Sequence, residues 1–541
     1  MFKPNPITTI IALTTVLMVP ASAFAQTYDL VIENGRVMDP ETRYDQVSNV
    51  GIIDDTIVTI TREPLKGKKV IDATGQVVAP GFIDTHWHWP RELGYKMGLR
   101  DGMTTVMDLE VGCAGSRIDD WYADRQGKTQ ANYGCGVSHE MARAKVLDNQ
   151  PEDKLYDVIS LFETRRASNW AQGVPSEEQL RQIAQEVDAG MKAGGINLAS
   201  TVGYMREGVT SKEMYEMQRV AADYGRHSGA HTRFTPDTAT NENLGAMEVV
   251  LNALSLDAPV SLLHFNNPGW QLAQEMMVNL REKGVNIWGE IYPYAAGATA
   301  VNAVFLTPEN WVERLGHRYE DTLFDPERNE FYTLERYQED MKNNPTKAVL
   351  VFKAPEEDAV RWISLKGVTM ASDGMPMMPV DGEWDTPWDE IQNGHPRTSG
   401  ARASTLRLAR ENGVPLMDTL AILSFNSAYH LGLAGLEDMQ VRGRIQEGMI
   451  ADIVVFDPNT VTDNSTYTNA TVPSTGFLAV LVSGVETVRN DKVIKDARAG
   501  QSIRFAPVDE SQYQPQSTGE WKKKYTVAPD QVDFSDVNGN Q

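Results

Sequence analysis

The stretch VVAPGFIDTHWHWP (residues 77–90) closes an apolar run with two histidines, His86 and His88, one residue apart. In an extended chain alternate side chains share a face, so the two imidazoles can converge on one ion at a strand end without any helix. A lone pair of this kind also suits a hydrogen-bonded strand end, and the choice rests on what the rest of the chain places beside it.

Seven further apolar or β-branched runs follow: TTVMDLEVG, YGCGVSH, GINLASTVGYM, SGAHTR, VSLLHFNN, NIWGEIYPY and VTMASDGMP. Helix-like stretches such as SKEMYEMQRVAADYG and WQLAQEMMVNLREKG separate them. Strand and helix in alternation predict an α/β chain folded as a (β/α)8, TIM-like barrel, whose chemistry sits at the C-terminal strand ends. Short alternating strands before the barrel, and again in IADIVVFDP and FLAVLVSGVETVRNDKVI, predict a small β-sandwich built from both chain ends. The expected division is 26–80 with 440–500 for the sandwich and 81–439 for the barrel. An inserted subdomain is expected at about 296–366, where the polar spacing is too long for a bare loop. A polar extension occupies 501–541.

Residues 1–25 carry one early lysine, an apolar run and small residues around Phe24, the pattern of a signal peptide cleaved after Ala25. This predicts a periplasmic or secreted protein without stable membrane insertion. Across 541 residues, 74 acidic and 50 basic side chains give a net charge of −24, which repels phosphate backbones and argues against nucleic acid as a partner. The sequence is compatible with a homo-oligomer and does not fix the oligomeric state. The two cysteines, Cys113 and Cys135, are expected at opposite ends of neighbouring strands, too far apart for a disulfide.

Four histidines fall at predicted strand ends: His86, His88, His231 and His264. Glu110 and Asp373 join them at two more. Each alone has an ordinary structural reading, as a core histidine, a cap or a solvated strand end. Together on one rim they form a donor set suited to Zn2+, one or two ions, or another divalent metal.

The histidine pair, the single histidines of SGAHTR and VSLLHFNN, the aspartate of ASDG and the closing GRIQEGMIADIVVFDP resemble the amidohydrolase superfamily. GYM at 203–205, HTR at 231–233, YPYAAGAT at 292–299 and HPR at 395–397 are similar to the D-aminoacylase (N-acyl-D-amino-acid deacylase) group within it. The resemblance implies a hydrolase of small-molecule amides in which metal-activated water attacks and Asp373 is the catalytic proton carrier. It implies Glu110, with Cys113 as the rival, as the bridging ligand, where the group typically carries a cysteine. Tyr204, Tyr294, Arg233 and Arg397 are candidates for binding the substrate carbonyl or carboxylate, the arginines being equally readable as structural ion pairs. His139 and Arg143 in SHEMAR resemble a further group motif. Asn266 stands where the group often has a carboxylate-binding lysine. That departure keeps a dipeptidase, cyclic amidase or lactonase as the alternative, with a catalytically inactive binding protein behind it. Trp87, Trp89 and Trp270 read either as an acyl pocket or as barrel packing.

Overall fold

The computed structural model describes residues 26–156, 158–165, 168–233 and 245–534. The expected signal segment, 1–25, lies outside these described residues, as does the end of the extension, 535–541.

All eight runs expected to build the barrel are strands of one eight-stranded parallel sheet. In chain order they are Phe82–Asp84, Met103–Cys113, Asn132–Ser138, Leu198–Ser200, Ser228–Ala230, Val260–Leu262, Ile287–Ile291 and Thr369–Met370. Each pairs with its neighbour in sequence order. The first and last strands meet through the bridge of Trp87 with Gly374, and Ser372 donates its N–H to Asp84 Oδ1 at 3.0 Å. Arg402 reinforces this seam from the helix Arg397–Asn412, bonding Asp84 and, at 3.0 Å, Asp101, all three fully buried. A buried ion pair gains little over an apolar core, yet losing one partner strands the other charge and costs about 3–5 kcal/mol.

Both chain ends contribute to a single nine-stranded sheet. Thr27–Asp39 lies beside Val77–Pro80, which pairs antiparallel with Ile453–Phe456 from the far end of the chain. Ile32, Val50, Ile71, Ile453 and Leu481 share one apolar core there, joining residues more than 400 positions apart. Between the seventh and eighth barrel strands a second small sheet forms from Ala296–Ala300, Leu323–Asp325, Glu330–Phe331 and Ala348–Phe352. Trp311, Tyr319, Tyr332 and Val349 give it a core of its own. The C-terminal extension runs along the barrel. Ile503 donates to the carbonyl of Tyr133 at 2.7 Å, and Phe505 donates to that of Gly194 at 3.0 Å. Among the described residues no helix is long and apolar enough to cross a membrane.

The cysteines correct the sequence expectation. Cys113 and Cys135 form a disulfide, with Cα atoms 6.2 Å apart. Register explains it: Asp108 pairs with Cys135 but Cys113 pairs with Val137, so the second strand carries three surplus residues in a bulge. The bulge draws the strand end back along its neighbour and cancels the separation that a regular strand would impose.

Candidate active site

That same bulge builds the site. Asp108 Oδ1 accepts the N–H groups of Glu110, Val111 and Gly112 at 3.4, 3.0 and 3.1 Å, so the chain winds round one carboxylate oxygen. Gly112 sits at φ +71°, where a Cβ would come within 2.6 Å of the carbonyl oxygen of Gly136. Only glycine permits that approach. The result aims Glu110 into the mouth of the barrel.

Glu110 lies between two sets of imidazoles. Oε2 is 2.7 Å from His86 Nε2 and 3.2 Å from His264 Nε2, and Oε1 is 3.3 Å from His231 Nδ1. Asp373 Oδ1 is 3.5 Å from His86 Nε2 and 3.4 Å from His88 Nε2. The donor atoms fall into two groups, His86 with His88 and Asp373, and Glu110 with His231 and His264, each spanning less than 4.8 Å. Two of the six residues hold strained backbone, His264 at φ +30° and Asp373 at φ +50°. Such conformations cost roughly 1–3 kcal/mol each and persist where the surroundings impose them.

The donor set fits a divalent cation. His86 Nε2 and Glu110 Oε2 are buried and close, yet neither makes an aligned hydrogen bond. His264 Nε2 and His231 Nδ1 face each other at 3.0 Å, an approach that two lone pairs tolerate only with a shared proton or cation between them. The carboxylates draw positive charge into the site: against burial, Glu110 and Asp373 hold His86 well above the ordinary imidazole value, and Asp108 pushes His88 up to about 9. Burial would raise the Glu110 carboxyl, but His86 and His264 hold it well below the usual carboxylate range. Burial likewise opposes ionisation of Asp373, and Arg397 with His86 overcomes it. Burial pushes His264 down to about 4, the neutral form that ligates metal.

Carboxylates behind the histidines fix their rings. Glu290, buried on the seventh strand, lies 3.1 Å from His86 Nδ1 and accepts from the Thr85 hydroxyl. Asp108 Oδ1 is 3.5 Å from His88 Nδ1. Both leave Nε2 turned toward the cluster, as a carboxylate behind a ligating imidazole does. Sequence reasoning missed both residues. A glutamate inside the apolar run NIWGEIYPY was the available signal for the first.

Above the cluster opens a cavity of about 510 Å³, within the range of small-molecule sites. Tyr204, Arg233 and Arg397 line it, with Tyr204 Oη 3.2 Å from Thr299 Oγ1. Arg233 is tied to Glu248 at 2.7 Å and to the carbonyl of Val209, and so is part of the wall. Arg397 Nη1 is 3.0 Å from Asp373 Oδ2. Its position follows from the HPR turn, where Arg397 N–H donates to His395 Nδ1 at 3.0 Å and His395 Nε2 meets the carbonyl of Ala296 at 2.9 Å.

Four expected substrate residues do not reach the cavity. His139 and Arg143 are fully buried against Glu213, at 3.0 and 2.5 Å, and tie the helix His139–Leu147 to the helix Ser211–Asp223. Asn266 is fully buried and donates to the carbonyl of Tyr292 at 3.1 Å. Tyr294 lies past the end of the seventh strand at Ile291 and turns toward His395 and Tyr467. The cavity-facing tyrosine is Tyr292. Trp87, Trp89 and Trp270 pack on the barrel core, while Phe162, Phe305 and Trp311 supply the aromatic lining.

Lys353, which sequence reasoning passed over, also lines the cavity. Its ammonium donates to Tyr292 Oη at 2.8 Å and to Asn267 Oδ1. Burial, with Arg397 nearby, pushes it down to about 7.

No family model matches the chain. It is 28% identical over 483 residues to an N-acyl-D-glutamate deacylase of Alcaligenes xylosoxydans xylosoxydans, covering 84% of this chain and 93% of the relative. To the D-aminoacylase of the same organism it is 23% identical over 511 residues, covering 85% and 94%. Among solved structures, the N-acyl-D-glutamate deacylase from Bordetella bronchiseptica, complexed with zinc and a phosphonate mimic of the tetrahedral intermediate, superposes with a TM-score of 0.70 at 22% identity, over 88% of this chain and 100% of that one.

Proposed function

We infer that this chain, of the D-aminoacylase group of amidohydrolases, is a metal-dependent hydrolase that cleaves the amide bond of N-acyl-D-amino acids or related acylated, peptide-like compounds. The observation that carries the reading is Glu110, held between two sets of histidines under a cavity that also presents Asp373, Arg397 and Lys353. Glu110, His231 and His264 would hold one ion; His86, His88 and Asp373, with Glu110 shared, would hold a second. A bound divalent ion there polarises an amide carbonyl and lowers the pKa of water toward ~7.

The protein groups account for the proton. Asp373, kept ionised by Arg397 at 3.0 Å, accepts the proton of the attacking water and returns it to the amine nitrogen as the C–N bond breaks. The products are a carboxylic acid and a free amino group. Tyr204 and Tyr292 place hydroxyls on the cavity wall where the acylated substrate lies. Asn266, whose identity spoke for another kind of substrate, lies behind that wall and does not bear on the choice.

Export is part of the same proposal. The N-terminal stretch and the Cys113–Cys135 disulfide support an oxidising compartment, since cytosolic thiols are kept reduced. N-terminal sequencing of the mature protein should begin at Gln26; a chain retaining Met1 in the cytosol contradicts it.

The test of function is a substrate screen with the zinc-reconstituted protein against N-acyl-D- and N-acyl-L-amino acids, dipeptides and lactones. Release of free amine from the D-acyl compounds is expected. Turnover confined to L-dipeptides or lactones sinks the deacylase reading.

A further inference from the structure

The cavity is cationic in a protein of net charge −24. Arg165, Arg206, Arg233, Arg314, Lys353 and Arg397 line it, against Glu110, Glu163 and Asp373. Four of these cations are tied to carboxylates: Arg165 to Glu140, Arg206 to Glu207, Arg233 to Glu248 and Arg397 to Asp373. Lys353 differs. Among the described residues no carboxylate forms an ion pair with it, and both its hydrogen bonds go to neutral oxygens.

Its setting is built. Lys353 follows the strand Ala348–Phe352, which pairs antiparallel with Ala296–Ala300, and its N–H donates to the carbonyl of Ala295 at 3.4 Å. The inserted sheet thus hangs the side chain over the barrel rim beside Tyr292. Asn267 is fixed in turn by donating to the carbonyl of His264 at 2.8 Å. Gly297 keeps the space open: a Cβ there would lie 3.2 Å from Tyr292 Oη and 3.5 Å from Lys353 Nζ. A half-buried ammonium without an ion-pair partner is poorly compensated, and an anionic ligand is what relieves it.

We propose that Lys353 is the residue that recognises the substrate's carboxylate, so that selectivity for a free acid is carried by the inserted subdomain and not by a barrel strand. The proposal rests on the deacylase reading for the identity of the substrate. The Tyr292 hydroxyl, accepting from Lys353, has its own proton to give to the same carboxylate, and binding there leaves the amide free to reach Glu110 and Asp373. The alternative is a structural lysine that props Tyr292 and Asn267.

Two readouts on the zinc-loaded protein test it. In the first, kcat/KM is compared for an N-acetyl-D-amino acid and its primary carboxamide in wild type, Lys353→Met and Lys353→Arg. The acid-to-carboxamide ratio should fall roughly ten- to hundredfold in Lys353→Met, through KM, and largely return in Lys353→Arg, as loss and restoration of a charge-assisted bond requires. In the second, calorimetry follows N-tosyl-D-leucine and its carboxamide, which need no turnover. Wild type should prefer the acid and Lys353→Met should lose that preference. If Lys353→Met lowers kcat on acid and carboxamide alike with the ratio unchanged, Lys353 is a prop and the proposal is overturned. If no N-acyl amino acid is hydrolysed but the binding preference is present and Lys353-dependent, the deacylase reading fails and carboxylate recognition stands.

Discussion

Glu110 is the residue on which the site turns, because one carboxylate meets His86, His231 and His264. Glu110→Ala should therefore remove bound metal, whereas Cys113→Ser, altering a residue engaged in a disulfide, should retain it. Metal per chain, by elemental analysis, distinguishes the two. Behind the ligands, Glu290→Gln should weaken metal binding by about 10–100-fold without unfolding the barrel, since the carboxylate orients His86 and sharpens its basicity. Equal metal affinity in wild type and variant would mean that Glu290 only fills a buried hydrogen-bonding position. The six candidate ligands could be brought together from the sequence because strand ends of a parallel barrel converge on one rim, so placing the strands placed the side chains. Glu290 and Asp108 could not, since nothing in a linear pattern says which buried carboxylate stands behind which imidazole.

At the scale of elements, short strands and one bulge decide the geometry. The eight strand runs could be read from their apolar character and spacing. The three surplus residues in Met103–Cys113 could not, because a bulge keeps the composition of a strand and changes only its register. That hidden feature both reversed the disulfide expectation and aimed Glu110. The bridge closes a loop across a sequence separation of 22, and the chain-entropy model assigns such a loop about 3 kcal/mol. Cys113→Ser should lower the unfolding free energy by about that much in denaturant titrations; an unchanged midpoint would show that the bulge is held by Asp108 alone. The break after Ile291 is a comparable case. The resemblance implied Tyr294, yet the chain leaves the strand after Ile291 and turns into the inserted sheet, so that Tyr292 lines the cavity instead.

The whole molecule joins distant parts of the chain: both ends in one sheet, the extension along the barrel, and an insert that walls the cavity. Long-range partnerships of this kind are the least legible from sequence, which is why the insert's own contribution, Lys353, was invisible there. Stability as a function of pH reports on the buried histidines remote from the rim. Burial pushes His227 and His430 down to about 3, and their rings pack on Trp288 at 4.9 and 5.0 Å. Their folded values lie below the ordinary 6.5. From there downward the unfolded chain takes up protons that the folded one refuses, so stability is full above that pH and drains away as pH falls toward 3. The melting temperature should drop along this acid limb, and His227→Leu should flatten it; a slope that His227→Leu leaves unchanged contradicts the assignment.

On the proposed function, a divalent ion at Glu110 makes this chain an amide hydrolase. The most direct measurement of this is the release of free amine from an N-acetyl-D-amino acid by protein stripped of metal and titrated back with Zn2+. The expected result is no turnover in the stripped protein and a rise that tracks bound zinc and saturates at one or two ions per chain. Full turnover in metal-free protein, or none in protein with zinc bound, would contradict it.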